Sequence, residues 1–296
     1  MIKITERINS GEKLISDGAW GTELHKKGLK LGDCPESWNL DHRSDVLEIA
    51  TSYVEAGADM IETNSFGGSR INLEQFGLGD RTVLINRTAA EISREAAGNS
   101  IHVLGSIGPT GKMLLMEDVT LDDLHRTYSE QAAALESGGA DAIVVETMFD
   151  LEEAKSAVRS ARESTRCEII CTMTFDGNEQ SGFHTMMGTR PDEAASALIE
   201  AGADIIGANC GNGIETMIGI VRELRKVSNT IPIMIQANAG LPLTVDGHIV
   251  YPQSPEDTSR WIVPLIEAGA DIIGGCCGTT PLHIRKIAEI IKSRRR

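Results

Sequence analysis

EAGADIIGANCG at 200–211 and EAGADIIGGCCG at 267–278 are near copies of each other, and two looser copies precede them: EAGADMIETNS at 55–65 and ESGGADAIVVETM at 136–148. Each copy runs from a helix-like end through Gly-Ala-Asp into a short apolar segment. The glycine suits a helix C-cap, and an uninterrupted apolar run suits a strand buried on both faces. The repeated aspartates are Asp59, Asp141, Asp204 and Asp271. The intervals between them are too long for one strand–helix unit and comfortable for two, so a further strand is expected in each. The candidates are LISDGAW (14–20), IHVLGSIG (101–108), EIICTMTF (168–175) and PIMIQAN (232–238). Helical patterns such as SDVLEIATSYVEA, DDLHRTYSEQAAALES and PDEAASALIEA lie between strands. Eight apolar strands alternating with helices read as an α/β protein, a single (β/α)8 TIM barrel spanning residues 1–296. The competing open doubly wound sheet lacks its signature, because no G-x-G-x-x-G follows the first strand.

Composition excludes several function classes. The 296 residues carry 28 Lys and Arg against 43 Asp and Glu, a formal charge of −15. That balance repels phosphate backbones and anionic membranes, so neither a nucleic-acid nor a membrane partner is expected. No secretory leader or long apolar span is visible, so the expected location is cytoplasmic. Six cysteines are too few for a disulfide scaffold, and in a reducing compartment they suggest metal binding or catalysis. The terminal run from Lys292 reads as a solvated helix end. His102 and His184 read as surface residues.

Barrel enzymes build their sites at the C-terminal ends of the strands. Those positions hold Asp17, Glu62-Thr63-Asn64, Ser106, Glu146-Thr147, Thr174, Asn209-Cys210, Asn238 and Cys276-Cys277. Cys210 ends the sixth strand, and Cys276 and Cys277 end the eighth. Those ends lie roughly 10 Å apart, within reach of inward side chains. Three thiolates can hold Zn²⁺ with one tetrahedral position open, as a catalytic zinc needs. Two plainer readings stand beside this one: buried cysteines packing as small hydrophobes, and a vicinal disulfide at Cys276-Cys277. Cys167 and Cys171 share one face of a strand and read as core; Cys34 has no assigned role. Glu146 ends a wholly apolar strand, which is costly unless it meets a cation. Asp17 could cap a turn or serve the site, and Asn238 could orient substrate, hold the open metal position, or form a turn.

DGAWGTEL (17–24), ETNSFGGSRINL (62–73), GSIGPTG (105–111), VETMFDLEEA (145–154), GANCG (207–211), NAGLP (238–242) and GGCCGTTPLHI (274–284) together resemble the homocysteine S-methyltransferase family. The likeness is nearest to the N-terminal homocysteine-binding module of cobalamin-dependent methionine synthase. It implies zinc on Cys210, Cys276 and Cys277. It also implies that the homocysteine ammonium meets Glu146 and Asp17, that its carboxylate meets backbone N–H groups around Gly18 and Ala19, and that Asn238 can face the metal. Zinc would convert the substrate thiol to its thiolate, the nucleophilic form, which accepts a methyl group to give methionine. The folate and cobalamin modules of that relative have no counterpart in this sequence. The expected donor is therefore a methyl-corrinoid on a separate protein. S-methylmethionine or another small sulfonium is the alternative donor. Outside that class remain a non-catalytic homocysteine- or zinc-binding subunit and a vicinal-dithiol redox sensor.

Overall fold

The structure, a computed structural model, describes residues 1–245 and 248–294. Arg295 and Arg296, in the basic terminal run, lie outside the described residues. Eight parallel strands form one sheet: β1 Leu14–Ile15, β2 Met60–Glu62, β3 His102–Ile107, β4 Ala142–Met148, β5 Glu168–Met173, β6 Ile205–Gly213, β7 Ile233–Asn238 and β8 Ile272–Gly275. They run in barrel order from β2 through β8 to β1. The seam between β1 and β2 is joined by the Asp59 N–H on the Ile15 carbonyl at 2.8 Å. All eight expected strands are present, and the helices Arg43–Ala56, Leu121–Ser137 and Pro191–Ala201 coincide with the helical patterns.

The repeated Gly-Ala-Asp phrase has a structural cause. Gly57, Gly202 and Gly269 end their helices in the left-handed region, at φ of 99°, 108° and 117°, which a side chain would strain. The aspartate that follows reaches back to the preceding strand. Asp59, Asp141, Asp204 and Asp271 accept the backbone N–H of Ile15, Val103, Ile169 and Ile233. Arg7, Arg94, Arg162 and Arg225 bind the same four carboxylates. Three of these arginines also hold the capping turn, on the carbonyls of Gly139, Gly202 and Gly269. The repeat therefore ties odd strands to even ones at the end of the barrel opposite the expected site.

Alternation along each strand sorts side chains inward or outward. Leu14, Met60, Leu104, Ala142, Val144, Ile170, Ile205, Met234 and Ile272 pack together inside the barrel. Their neighbours, Cys171 among them, pack outward with the helices; Cys167 lies in that same core, as expected. The helix Ile4–Asn9 closes the floor. Ile4 joins the interior cluster, and the Glu168 carboxylate accepts the N–H of Ile4 at 2.6 Å and of Thr5 at 3.0 Å. This floor corrects the expectation for His102. With the same parity as Leu104 it faces inward, and it is 2% exposed; burial lowers its pKa. His184 is exposed as expected. Replacing Glu168 with alanine should orphan those two N–H groups and cost about 2–3 kcal/mol in a urea titration, while metal content at the far end of the barrel stays unchanged.

Candidate active site

Two residues beyond the apolar interior, or four in the case of Asn209 after Ile205, the same strand faces turn polar. Glu62, Ser106, Glu146, Thr172, Asn209 and Gln236 form a buried layer under the mouth. Asn209 is its hub. Its Oδ1 accepts the Thr147 N–H and the Thr172 hydroxyl, each at 2.8 Å. Its Nδ2 donates to Thr147 Oγ1 at 2.6 Å and lies 3.5 Å from Glu146 Oε2 and 3.9 Å from Cys276 Sγ. Asn209→Ala should therefore leave Thr147 N–H and the Thr172 hydroxyl without their acceptor. The expected cost is about 3 kcal/mol, read as a fall in the urea midpoint.

The strands that carry Glu146 and Cys210 both end in irregular pairing. β4 shifts register between Val145 and Met148, and β6 between Cys210 and Gly213. Thr147 and Cys210 lie in the left-handed region, at φ of 60° and 59°. Such backbone costs about 1–3 kcal/mol and persists only where its surroundings enforce it. A bulge of this kind re-aims a side chain, and here it turns Cys210 toward the end of β8. There Cys276 donates its N–H to the Ala237 carbonyl at 2.8 Å, and Thr279 closes the turn onto the Cys276 carbonyl.

The three cysteines converge. Cys210 Sγ is 3.0 Å from Cys276 Sγ and 3.8 Å from Cys277 Sγ, and all three sulfurs lie within 4.8 Å of one another. None is in a disulfide. Zinc–sulfur bonds of about 2.3 Å place tetrahedral sulfurs about 3.8 Å apart; the Cys210–Cys277 separation matches this and the Cys210–Cys276 separation is shorter, and the three-thiolate donor set fits zinc. Thiol hydrogen bonds from Cys210 and Cys276 draw Cys277 well below the usual thiol range, and the same cluster pushes Cys276 up.

The sulfurs open into a cavity of about 330 Å³ whose wall includes Gly18, Ala19, Glu36, Glu62, Ser106, Glu146 and all three cysteines. No Lys, Arg or His lines it among the described residues. Glu146 is pushed up to about 7, first by burial, against the Ser106 hydroxyl that donates to it. Asp17, raised to about 6 by burial, lies one layer behind the wall. Its Oδ2 accepts the Glu62 N–H at 2.8 Å and the Trp20 indole N–H at 2.9 Å. The Ala19 N–H, expected for a substrate carboxylate, donates to Thr279 Oγ1 at 3.1 Å. Asn238 donates to the Gly211 carbonyl at 2.9 Å, while its Oδ1 is buried without a partner. Cys34 is buried beside Glu36, with Sγ 3.4 Å from Oε2. Glu62 is among the strand-end positions expected at the mouth, with no role assigned to it; Gln236 is not among them, although counting by twos from Met234 places it inward.

The sequence profile of homocysteine S-methyltransferases matches residues 14–291. The chain belongs to the homocysteine S-methyltransferase family. Methionine synthase of Mycobacterium tuberculosis (strain ATCC 25618 / H37Rv) is 34% identical over 304 residues, covering 98% of this chain and 25% of that protein. Methionine synthase of Mycobacterium leprae (strain TN) is 34% identical over 295 residues, covering 94% of this chain and 24% of that protein. The chain thus spans about a quarter of the length of these family relatives. Among solved structures, the homocysteine methyltransferase MmuM from Escherichia coli in its metallated form superposes with a TM-score of 0.79 at 21% identity, covering 96% of this chain and 98% of that one. Its oxidised form gives 0.75 at 22% identity, covering 95% and 96%. At these identities the likeness establishes the shared barrel.

Proposed function

We propose that this family member is a zinc-dependent methyltransferase that takes homocysteine to methionine, with the methyl group delivered by a methyl-corrinoid on a protein outside this barrel. The observation that carries the reading is the trio of sulfurs at the edge of an acidic cavity whose wall holds no cation among the described residues. Cys210, Cys276 and Cys277 would hold the zinc. Bound zinc supplies an anionic substrate sulfur at neutral pH. Glu146 takes the substrate ammonium, and Gly18 and Ala19 form the wall beside its carboxylate. Asp17 acts through Glu62, whose backbone it anchors. Asn238 braces the Cys210–Gly211 turn, and its unpartnered Oδ1 would be its donor toward the metal. In the transfer itself the substrate sulfur forms the new bond to carbon, and the electron pair of the broken bond stays with the donor.

Two features support a protein-borne donor. The relatives at 34% identity are named methionine synthase. Leu115, Met116, Met186, Leu241 and Ile249 are exposed on loops that follow β3, β5 and β7, the rim onto which the cavity opens. The test is a pair of assays on zinc-loaded protein with homocysteine, one with methylcobalamin and one with S-methylmethionine. Methionine formed from the first alone supports the reading. Turnover with the sulfonium alone overturns the corrinoid donor. A metal-free protein with an oxidised Cys276-Cys277 pair overturns the enzyme reading in favour of a redox sensor.

A further inference from the structure

Glu62 and Glu146 project from β2 and β4 into the same cavity and are 6% and 7% exposed. Each carboxyl is among the groups that bear on the other's ionisation. Two carboxyls buried in one cavity without a cation oppose each other's ionisation, so the pair retains a proton. Each also has its own neutral donor: Gln236 Nε2 on Glu62 Oε1 at 2.6 Å, and the Ser106 hydroxyl on Glu146 Oε1. Among the described residues, every charged or titratable group facing the pair is acidic. Asp17 stands behind it at the end of β1, Cys210 lies at the end of β6, and Cys276 and Cys277 lie at the end of β8. Glu36 faces the cavity from the β1–β2 loop, with its carboxylate on the Gly67 N–H. Burial first, and then these neighbours, hold both glutamates above the ordinary carboxyl range. The pair therefore lacks a cation that no described residue of the wall supplies.

We infer that Glu62 and Glu146 act as one acid pair that binds the substrate ammonium and releases its shared proton to solvent as the ammonium arrives. The inference rests on the homocysteine reading and adds Glu62 as a binding residue, with a proton count that a single carboxylate would not give. An ammonium has three N–H donors. It can satisfy an oxygen on each glutamate, and its charge stabilises the second ionisation. A ligand without the amino group leaves the proton where it is. The amino group thus becomes a specificity element separate from the thiol.

Isothermal titration calorimetry of the zinc-loaded full chain at pH 7, in buffers of different ionisation enthalpy, counts the protons released. L-homocysteine should release about two, one from its thiol and one from the pair. 4-Mercaptobutyrate has the thiol and carboxylate but no ammonium, and should release about one. Glu62→Gln keeps the acceptor for Gln236 but cannot share an acid proton. It should lower the homocysteine count to about one and weaken homocysteine binding roughly tenfold, leaving mercaptobutyrate binding unchanged. That last result also shows the variant's site is folded. Equal counts for the two ligands in the unaltered protein, or a homocysteine count unmoved by Glu62→Gln, overturns the inference and leaves the homocysteine reading intact. No binding of either thiol overturns both.

Discussion

Replacing Cys276 with alanine should empty the protein of zinc and stop methyl transfer to homocysteine while leaving the barrel folded. The fold survives because the turn that presents this residue is held by its backbone. The Cys276 N–H bonds Ala237, and its carbonyl accepts from Thr279. What is lost is the sulfur 3.0 Å from that of Cys210. Cys210 and Cys277 remain, 3.8 Å apart, and two protein sulfurs are one short of the set a catalytic zinc requires. Even an outer-shell partner of a metal ligand is worth roughly 10- to 100-fold, so a ligand itself is expected to cost at least roughly 10³-fold in turnover. Metal analysis after dialysis should fall from about one zinc per chain to near none. Cys171→Ala is the control, since Cys171 packs in the outer core on β5. It should lower stability by about 1 kcal/mol and leave the zinc in place. A Cys276→Ala protein that kept both metal and turnover would remove the basis of the proposed function.

The cysteine trio was legible because each member follows an apolar strand and is followed by, or adjacent to, glycine, so strand ends could be counted without knowing their curvature. The barrel was legible for a related reason. Its Gly-Ala-Asp phrase recurs wherever a helix hands over to an even strand, and the capping and back-bonding that require those residues are local. Other features depend on contacts that distant chain segments make. Asp17 reads from sequence as either a turn cap or a site residue, and the contacts that hold its Oδ2, from the Trp20 indole and the Glu62 N–H, come from outside its own strand. His102 reads as a surface residue from its sequence position, and its burial depends on the distant helix Ile4–Asn9 that closes the barrel floor. Glu62 and Glu146 line one cavity from strands two apart in the barrel, which is within reach of a parity count, yet parity gives direction and not distance. Asn238 shows the limit of that count. Its parity points inward, but the β6 bulge brings the Gly211 carbonyl to its amide.

Gly207→Ala should be the most destabilising of the single-methyl additions considered for the barrel wall, with an expected loss of about 3–5 kcal/mol in chemical denaturation. Gly207 pairs with Met234 across β6 and β7. A Cβ there would lie 1.8 Å from the Met234 carbonyl oxygen, 2.8 Å from its carbon and 3.1 Å from its nitrogen. All three are backbone atoms, so no rotamer change relieves the contact, and glycine in a strand marks such a close approach. Relief requires β7 to move by roughly 1 Å, in a closed sheet where each strand is held on both sides. The same movement would reach Asn209 and Cys210, two and three residues along β6, and the Asn238 bond to Gly211. Zinc affinity should therefore fall with stability, although the added methyl touches no sulfur. Gly21→Ala separates crowding from the mere loss of a glycine. Gly21 opens the helix Gly21–Lys26 and has nothing within 4 Å of the added Cβ, so alanine there should be neutral or stabilising by about 0.5–1 kcal/mol. If the two variants unfolded at the same denaturant concentration, the tight β6–β7 approach would not be what holds Cys210 in place.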